Sequence, residues 1–263
     1  MRITDKVFVV TGAGNGMGRE VALGLHRRGA HVAAVDLDQV GLAETAERAR
    51  GTGTRLSTHV LSITDRDAVA ALPAQVLDLH GQVDGLVNIA GIAQRFALFA
   101  DLGDDDLDRV MAVNVTGTFQ MCRAFLPLLL TRPEANITNM SSLSALVPFA
   151  SQVLYSASKA AVQQFSEGLD AELADTNVHV VTLFPGNVST NLAQNSGVEM
   201  LDAGGRRALV TTPETAGKKI VAGIAKDRYR VIIGTDARLL YTLSRLAPRR
   251  TARLVAKQIK SVL

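Results

Sequence analysis

A glycine-rich stretch near the start of the chain places the strongest constraint on its fold. The stretch is TGAGNGMG at 11–18; it follows the apolar run Lys6–Val10, which predicts a strand, and precedes Arg19–Arg28, which predicts a helix. Glycines at such a turn let the backbone approach a phosphate group, and the helix N-terminus offers N–H groups and partial positive charge. The stretch predicts either a phosphate-binding loop or a tight turn, and both require a strand that leads directly into a helix.

Apolar runs and helical patterns alternate along the rest of the chain. The predicted strands are Lys6–Val10, His31–Val35, Arg55–Val60, Gly85–Asn88, Asn136–Met140, Val178–Phe184 and Tyr229–Ile233. The predicted helices are Arg19–Arg28, Leu37–Arg50, Asp65–His80 with an interruption at Pro73, Asp104–Leu130, Leu154–Ala174 and Pro213–Ala225. Because the strands are continuously apolar, we expect them to be buried on both faces. We predict an α/β fold, a Rossmann-type doubly wound parallel sheet flanked by helices on both faces, in a single domain.

Composition and charge narrow the class of protein. The 263 residues are 47% apolar with 22 glycines, which is typical of a globular chain with a large core. The single cysteine, Cys122, excludes an internal disulfide and a zinc-type cysteine cluster, and we predict no metal site. We find no signal-peptide pattern and no apolar stretch that could span a bilayer, so we expect a cytoplasmic protein. The net charge of +3 gives no argument for nucleic acid as a partner.

Asp36 ends the second predicted strand, where a carboxylate can accept hydrogen bonds from the ribose hydroxyls of a dinucleotide. The same carboxylate repels a 2′-phosphate. Asn15 in the loop and Leu37 after the acid provide no cation that would attract one. Together with the glycine loop, these residues favour NAD over NADP as a ligand. The alternative for Asp36 is a helix N-cap.

Tyr155 and Lys159 lie four residues apart in YSASK, within the predicted helix Leu154–Ala174, and therefore on one helix face. An ammonium within about 4 Å favours a phenolate by about 4 kcal/mol at an effective dielectric near 20. That energy equals roughly three pKa units. We therefore expect Lys159 to lower the pKa of Tyr155 enough for proton transfer near neutral pH. An ordinary surface pair is the alternative for an isolated Tyr-x-x-x-Lys.

These motifs, in their order and spacing, resemble those of the short-chain dehydrogenase/reductase family. The resemblance covers about Lys6 to Thr190. The motifs that carry it are TGAGNGMG, Asp36, Asn88-Ile89-Ala90-Gly91, Asn114 in MAVNVTG, Ser142 in TNMSS, YSASK and Pro185-Gly186-Asn187-Val188-Ser189-Thr190. The resemblance implies an active NAD-dependent oxidoreductase that transfers a hydride between the cofactor and a secondary alcohol or ketone.

The family's mechanism implies a role for each catalytic residue. Tyr155 would exchange the proton on the substrate oxygen as general acid/base. Ser142, chosen over Ser141 by its interval to the tyrosine, would hydrogen-bond the same oxygen. Lys159 would lower the tyrosine pKa and hold the nicotinamide ribose, and Asn114 would keep a water that links the lysine to solvent. The alternative for Asn114 is a helix-interior asparagine bonded to a neighbouring strand.

The resemblance also implies a set of cofactor-binding residues. The set is Gly12, Asn15, Gly16, Met17, Gly18, Asp36, Ser62, Ile63, Asn88, Ala90, Gly91, Tyr155, Lys159, Pro185, Gly186, Val188 and Thr190. Val188 would donate a main-chain contact at the nicotinamide end, and Thr190 would reach the carboxamide or phosphates. Two positions depart from the family pattern: Ile89 replaces a frequent asparagine, and Ser62 replaces a carboxylate that is common near the adenine.

The residues before the tyrosine helix are largely apolar and form the candidate substrate wall. They are Leu143, Leu146, Val147, Pro148, Phe149, Val153 and Leu154, joined by Gln94, Phe96 and Phe184. We expect an apolar small molecule as substrate, or alternatively that some of these residues pack a subunit interface. Arg95 is expected to be solvated rather than to bind a substrate carboxylate or phosphate. Asn191–Thr212 has little apolar periodicity and is predicted to form a mobile lid.

The C-terminal part of the chain is basic and amphipathic. From Ala237 to Leu263 there are seven cations and no acid. Four leucines recur at helical spacing, namely Leu239, Leu240, Leu243 and Leu246. Pro248 separates this predicted helix from a second one. We predict a catalytic domain at 1–236 and a basic helical extension at 237–263, which covers its own domain, contacts a partner subunit or lies on an anionic membrane surface.

The resemblance further implies a homodimer or homotetramer built through Asp104–Leu130 and Leu154–Ala174. Two alternative functions stay open. One is an NADPH-dependent ketoreductase of acyl thioesters, which Asp36 and the missing basic residue oppose. The other is a catalytically silent nucleotide-binding regulator of the same fold, which the intact catalytic residues oppose because a scaffold has no physical need for them.

Overall fold

The computed structural model describes residues 1–51, 53–189, 192, 196 and 210–260, with the side chains of 236 and 258–260 left out. The strands are β1 (Val7–Thr11), β2 (His31–Asp36), β3 (Leu56–Val60), β4 (Gly85–Asn88), β5 (Ala135–Met140), β6 (Val178–Pro185) and β7 (Arg230–Ile233). The helices are α1 (Gly16–His26), α2 (Gln39–Arg48), α3 (Arg66–His80), α4 (Asp104–Met111), α5 (Thr118–Leu129), α6 (Val153–Glu172), α7 (Pro213–Ile224), α8 (Thr235–Leu246) and α9 (Pro248–Lys260). Thr190 and most of the predicted lid lie outside the described residues.

In the described residues, all strands join one parallel sheet in the order β3-β2-β1-β4-β5-β6-β7. Successive residues of a strand point to opposite faces. On β1, Phe8 and Val10 join a core cluster with residues of α1 and α7, such as Leu25 and Ile220. Val7 and Val9 join the opposite cluster, which includes Leu72 of α3 and Phe125 of α5. The sheet is therefore buried on both faces, and the predicted doubly wound fold is confirmed.

Helix α3 runs without a break through Pro73, so the predicted interruption there is wrong. A proline inside a helix costs about 3 kcal/mol because it removes a hydrogen bond and crowds the preceding turn. Val69, Leu72 and Val76 lie on both sides of the proline and are fully buried against the sheet. This packing outweighs the local cost and keeps the helix continuous.

The predicted helix Asp104–Leu130 is helical throughout, but it is not one regular α-helix. A π-helical turn, Ala112–Gly117, separates α4 from α5. Such a turn holds one residue more than an α-turn and often lies at a functional site. Asn114 is in this turn and is fully buried.

The strand order reverses beside β1, whose neighbours are β2 and β4. In open α/β sheets, ligands bind outside the carboxyl ends of the strands at such a switch point. The glycine loop, Asp36 and the motifs that follow β4, β5 and β6 all lie at that edge. Across the described chain, no helix combines the length and apolar character that crossing a membrane requires.

Candidate active site

The glycine-rich turn brings α1 directly against the end of β1. Gly12 has a φ of 71° and Gly16 one of 52°, backbone conformations that favour glycine. A Cβ atom on Gly18 would lie 2.0 Å from the carbonyl oxygen of Gly12. Since no side chain fits at that distance, Gly18 is required for the close approach of helix and strand. The turn therefore leaves the first residues of α1 open to a cleft.

The cleft has a volume of about 250 Å³ and lies at the carboxyl edge of the sheet. Its walls include most of the predicted cofactor residues: Gly12, Asn15, Gly16, Met17, Gly18, Asp36, Ser62, Ile63, Ala90 and Gly91. The other lining residues are mainly apolar: Val35, Leu37, Leu61, Ile89, Ile92, Val113 and Leu192. A glycine-lined cradle, a carboxylate and apolar walls fit an extended dinucleotide.

Asp36 faces the glycine loop from the end of β2. One carboxylate oxygen accepts a hydrogen bond from the N–H of Gly14 at 2.8 Å, and the other accepts one from the N–H of Asp38 at 3.0 Å. The N-cap of α2 is Asp38, which accepts from the N–H of Gly41. The alternative role of Asp36 as a helix cap therefore does not apply, and its carboxylate is left to line the cleft.

Arg19 is a cation near the loop that the sequence interpretation missed. Its guanidinium donates to the carbonyl oxygens of Gly14 and Gly41 and to the hydroxyl of Thr45, and it pairs with Glu44 at 2.8 Å. These contacts hold Arg19 behind the loop. The only sequence signal was its place in the first turn of the helix.

Asn88 is not a wall of the cleft. Its amide nitrogen donates to Asn139 Oδ1 at 2.9 Å and contacts Cys122 Sγ at 3.4 Å, so the side chain lies beneath the cleft. Thr11, which we did not single out, accepts hydrogen bonds from the N–H groups of Ile89 and Ala90, each at 3.1 Å. These contacts tie the ends of β1 and β4 together under the cleft.

Ser142 and Tyr155 come together where β5 ends and α6 begins. Ser142 caps the short 3-10 turn after β5 through the N–H of Ser144 at 3.1 Å, and it hydrogen-bonds the phenol of Tyr155. Ser141 is fully buried and donates to the carbonyl oxygen of Lys159 at 2.8 Å. The structure thus brings Ser142, and not Ser141, to the tyrosine hydroxyl.

Lys159 is buried next to Tyr155, with Nζ 5.8 Å from the centre of the phenol ring. Its Nζ donates to the carbonyl oxygen of Met140 at 3.1 Å, and burial lowers its pKa to about 8. Burial raises the pKa of Tyr155, and hydrogen bonding to Ser142 only partly opposes this. The expectation that Lys159 lowers the tyrosine pKa is therefore wrong for this structure, because desolvation dominates.

Asn114 joins the loop after β4 to the tyrosine helix. Its Oδ1 accepts from the N–H of Ile92 at 2.8 Å, and its Nδ2 donates to the carbonyl oxygen of Ile92 and the hydroxyl of Ser158, both at 3.0 Å. Ser158 in turn donates to the carbonyl oxygen of Tyr155 at 2.7 Å. Ser158, the second serine of YSASK, thereby links Asn114 to the backbone of the tyrosine. The sequence had not suggested this role.

Gly91 is the point where the two halves of the site meet. A Cβ atom there would lie 3.0 Å from Asn114 Oδ1 and 3.1 Å from Lys159 Nζ. Because Gly91 also lines the cleft, the side chains of Asn114 and Lys159 adjoin it. A larger residue at this position would separate them.

The predicted nicotinamide end follows β6. Pro185 ends that strand, the N–H of Gly186 donates to the carbonyl oxygen of Ile233 at 2.8 Å, and Val188 forms a parallel bridge with Thr211. Backbone pairing therefore fixes this segment at the carboxyl edge of the sheet.

Gln94 is a buried residue with a role that the sequence interpretation missed. Its Oε1 accepts hydrogen bonds from the N–H groups of Leu154 at 2.8 Å and Tyr155 at 3.2 Å. Its Nε2 donates to the carbonyl oxygen of Ser151 at 3.1 Å. The backbone carbonyl oxygen of Gln94 accepts a hydrogen bond from the side-chain Nε2 of Gln152 at 2.8 Å. We name these contacts the Gln94 clasp; they fix the start of α6.

The candidate substrate wall needs correction at several positions. Phe184 is fully buried in β6, and Leu143 and Val147 are buried against Ala237 and Val255 of the C-terminal helices, so these side chains belong to the core. Partly exposed apolar side chains are Phe96, Leu146, Phe149 and Val153. Arg95, expected to be solvated, is 45% exposed but pairs with Asp106 at 3.2 Å.

Comparisons with known proteins identify the family of the chain. The sequence model of the short chain dehydrogenase family matches residues 6–200. The chain is 35% identical over 264 residues to SadH of Mycobacterium tuberculosis, an oxidoreductase by its name, over 95% of this chain and 94% of SadH. It is 32% identical over 194 residues to the 3-oxoacyl-acyl-carrier-protein reductase FabG of Thermotoga maritima, over 74% of this chain and 78% of FabG.

A solved structure extends the comparison to three dimensions. The crystal structure of a short chain dehydrogenase/reductase from Burkholderia phymatum in complex with NAD matches with a TM-score of 0.82 at 26% identity. The match covers 94% of this chain and 96% of that one. The fold, the order of the motifs and the sequence relatives agree, and the chain belongs to the short-chain dehydrogenase/reductase family.

Proposed function

We propose that the protein is an NAD-dependent oxidoreductase that transfers a hydride between the nicotinamide cofactor and an apolar secondary alcohol or ketone. The observation that carries the proposal is the meeting of Ser142, Tyr155 and Lys159 beside the cleft that Asp36 lines. Gly91 joins the two parts, since it borders the cleft and Lys159 Nζ alike.

Three observations support NAD rather than NADP as the cofactor. The carboxylate of Asp36 lies in the cleft, where it would accept hydrogen bonds from the ribose and repel a 2′-phosphate. Arg19, the cation nearest in sequence after the loop, already pairs with Glu44 and the loop carbonyls. The similar Burkholderia phymatum enzyme was crystallised with NAD.

Bound NAD would accept or donate the hydride, and the side chains of the protein would position the substrate and transfer the proton. Tyr155 acts as the general acid/base on the substrate oxygen, and Ser142 donates a hydrogen bond to that oxygen. Burial raises the pKa of Tyr155, so the phenol holds the proton that reduction of a ketone requires. Lys159 would hold the nicotinamide ribose, and Asn114 would keep a water that links the lysine to solvent.

The substrate class follows from the side chains near the tyrosine helix. Phe96, Leu146, Phe149 and Val153 are apolar and partly exposed there. Burying such side chains against a ligand contributes about 25 cal/mol per Å² of apolar surface, which favours an apolar substrate.

An NADPH-dependent ketoreductase of acyl thioesters is the second candidate, because FabG is a 32% identical relative. Asp36 opposes it through repulsion of the 2′-phosphate. A screen that follows nicotinamide absorbance with varied alcohols, ketones and 3-oxoacyl thioesters, each with both cofactors, separates the two candidates. Turnover of a 3-oxoacyl thioester with NADPH but not with NADH would favour the ketoreductase.

The replacement Tyr155→Phe tests the proposed mechanism. It removes one hydroxyl and little volume, so we expect unchanged affinity for NADH, measured by cofactor fluorescence, and loss of turnover of about a thousandfold or more. Turnover equal to that of the unmodified protein would refute the role of Tyr155.

The proposal includes assembly and location. We propose a homodimer or homotetramer through the faces of α5 and α6, where Phe119 and Phe165 stack with ring centres 4.0 Å apart and stay partly exposed. We propose a cytoplasmic location, with which a single free and buried Cys122 is consistent.

A further inference from the structure

The last two helices, α8 and α9, form a hairpin whose inner face is packed on the catalytic domain. Ala237 of α8 and Val255 of α9 are buried and share a cluster with Leu143 and Val147. Leu240 packs against the same cluster. The hairpin is thus anchored on the segment that directly follows Ser142.

The outer face of α8 is apolar and exposed. Leu239 is 62% exposed, Leu243 36% and Leu246 79%. Their spacing of i, i+4 and i+7 aligns them in one stripe along the helix. Leu254 of α9 is also 50% exposed. The helix therefore has two apolar faces, and the fold covers only one of them.

Cations accompany the exposed leucines. Those on the described part of the hairpin are all exposed: Arg238, Arg245, Arg249, Arg250, Arg253 and Lys257. Arg245 hydrogen-bonds the hydroxyl of Tyr241. Among the side chains that the structure describes, none of the six has a carboxylate within 4.0 Å. The hairpin surface is therefore positive and its charge is not neutralised by the fold.

The positive surface continues beyond the hairpin. A cavity of about 270 Å³ lies between α7, β7 and α8, and Arg238 of the hairpin is part of its wall. Its other cations are Lys219, Lys226, Arg228 and Arg230. Arg230 pairs with Glu167 at 2.6 Å, which leaves the others to face an external anion. This cavity has room for an acidic headgroup beside the hairpin.

We propose that the α8–α9 hairpin is the surface through which the protein lies on an anionic lipid bilayer. A bilayer offers both things that the surface lacks: an apolar layer for the leucines and phosphate groups for the cations. A nucleic acid or an acidic protein would neutralise the cations but leave the leucine stripe in water.

A second copy of the chain fits the surface less well than a bilayer does. In a two-fold symmetric contact the same patch faces itself. The hairpin would then set its arginines against identical arginines, and its sequence has a single acid, Asp236 at its start, to relieve the repulsion. The bilayer is therefore the occupant that charge complementarity selects.

Binding at this surface does not depend on the proposed redox function, but its consequence for the active site rests on that function. Leu143 and Val147 join the hairpin to the segment after Ser142. A hairpin that rests on lipid would bring this segment close to the bilayer surface. An apolar substrate dissolved in the membrane would then have a short path to Tyr155.

Vesicle sedimentation with the full chain tests the proposal. The probes are vesicles of phosphatidylcholine alone and vesicles that also contain phosphatidylglycerol. We expect binding to the anionic vesicles only, with binding that weakens as salt rises. Leu239→Gln combined with Leu243→Gln and Leu246→Gln, or Arg249→Glu combined with Arg253→Glu, should each weaken binding about tenfold or more.

Matched variants elsewhere on the surface serve as controls. Leu79→Gln with Leu98→Gln and Leu130→Gln changes three exposed leucines, and Arg27→Glu with Arg28→Glu makes the same change of charge. Both should bind like the unmodified chain. The proposal is overturned if the anionic vesicles are not bound, or if the controls lose as much binding as the hairpin variants. A second copy of the chain would be the occupant instead if two results were found together. The unmodified chain would bind no vesicles, and light scattering would show that it self-associates while the leucine variant does not.

Discussion

At the scale of single residues, we expect Asp36 to decide which cofactor the cleft accepts. Removal of its carboxylate in Asp36→Ala removes both the acceptor for the ribose hydroxyls and the repulsion of a 2′-phosphate. We expect the ratio of kcat/KM with NAD to that with NADP to fall about tenfold or more, since a hydrogen bond to a charged group contributes about 1.5–3 kcal/mol. Steady-state kinetics with both cofactors measures the ratio.

The neighbouring acid provides a control for that measurement. Asp38→Ala removes the N-cap of α2 and lowers stability by about 1 kcal/mol, but it leaves the cleft carboxylate in place. Its cofactor ratio should stay at the original value. Tighter binding of NADPH than of NADH by the unmodified protein would contradict the argument for Asp36.

Lys159 gives the site a dependence on pH. Because burial sets its pKa at about 8, the ammonium is charged below that pH and loses its charge as the pH rises through it. A charged ammonium attracts the anionic cofactor, so affinity for NADH should decrease from pH 7 to pH 9 with a midpoint near 8. Titrations of NADH fluorescence at several pH values measure this. Lys159→Met should bind more weakly and show no midpoint, whereas Tyr155→Phe should retain it.

The meeting of Tyr155 and Lys159 could be predicted from the sequence because their motif is local, but the direction of the tyrosine pKa could not. Spacing alone put Lys159 on the same helix face as Tyr155. It did not show that the lysine Nζ donates to the carbonyl oxygen of Met140, a residue of another element, or how strongly the fold desolvates the phenol. Burial is a property of the assembled site, so a local pattern cannot supply it.

At the scale of elements, the Gln94 clasp positions α6. Gln94→Leu leaves the N–H groups of Leu154 and Tyr155 without their acceptor, and each such loss costs about 1–3 kcal/mol. We expect kcat to fall about tenfold through displacement of the tyrosine, with little change in affinity for NADH. Gln94→Glu retains the acceptor oxygens but loses the donor to Ser151, so it should recover kcat only in part.

Kinetics of both variants, with NADH binding measured in parallel, distinguishes positioning from a general loss of structure. Equal kcat in Gln94→Leu and the unmodified protein would show that the clasp does not position the tyrosine. A loss of NADH affinity as large as the loss of kcat would show a general collapse of the site.

The sequence predicted which segments form strands and which form helices better than it predicted irregularities within the helices. Periodicity located each strand and helix, but the π-helical turn at Ala112–Gly117 and the continuous helix across Pro73 were missed. Both depend on packing against distant elements, such as the contact of Asn114 with Ile92. The role of Gln94 was missed for the same reason, because its partners on α6 lie some sixty residues later.

At the scale of the whole molecule, Asp84 holds together the edge of the sheet opposite the cleft. Its buried carboxylate accepts from Lys6 Nζ at 3.3 Å, Arg132 Nε at 2.9 Å and the N–H of Val7 at 2.9 Å. Asp84→Ala leaves two cations without their partner. We expect the free energy of unfolding to fall by about 1.5–3 kcal/mol, as for the loss of a hydrogen bond to a charged group, because both cations are partly exposed to water. Urea unfolding followed by circular dichroism measures the change.

Asp78→Ala removes an exposed acid from the end of α3 and is the matched control, with an expected change within about 0.5 kcal/mol. NADH affinity of folded Asp84→Ala should be unchanged, because the residue lies at the amino end of β4. Equal urea midpoints for the two variants would show that Asp84 is not a main support of the fold.

The C-terminal hairpin shows how far whole-molecule features can be predicted. Leucine spacing and Pro248 correctly indicated two helices. They did not show which leucines face the domain, because both sides of α8 are apolar. Only the contact of Ala237 and Val255 with Leu143 identifies the inner face and leaves Leu239, Leu243 and Leu246 outside.

The extra residue in the π-helical turn restricts how a chain of this kind can change its length. Deletion of one residue between Ala112 and Gly117 would rewind the turn and rotate α4 by about 100° relative to α5. Arg109 would then move away from the carbonyl oxygen of Ser196, and Asp106 away from Arg95. A one-residue insertion arises in a single step, but its loss would require contacts on several elements to be rebuilt together. We therefore expect chains derived from this one to keep the number of residues in the turn even where the side chains differ.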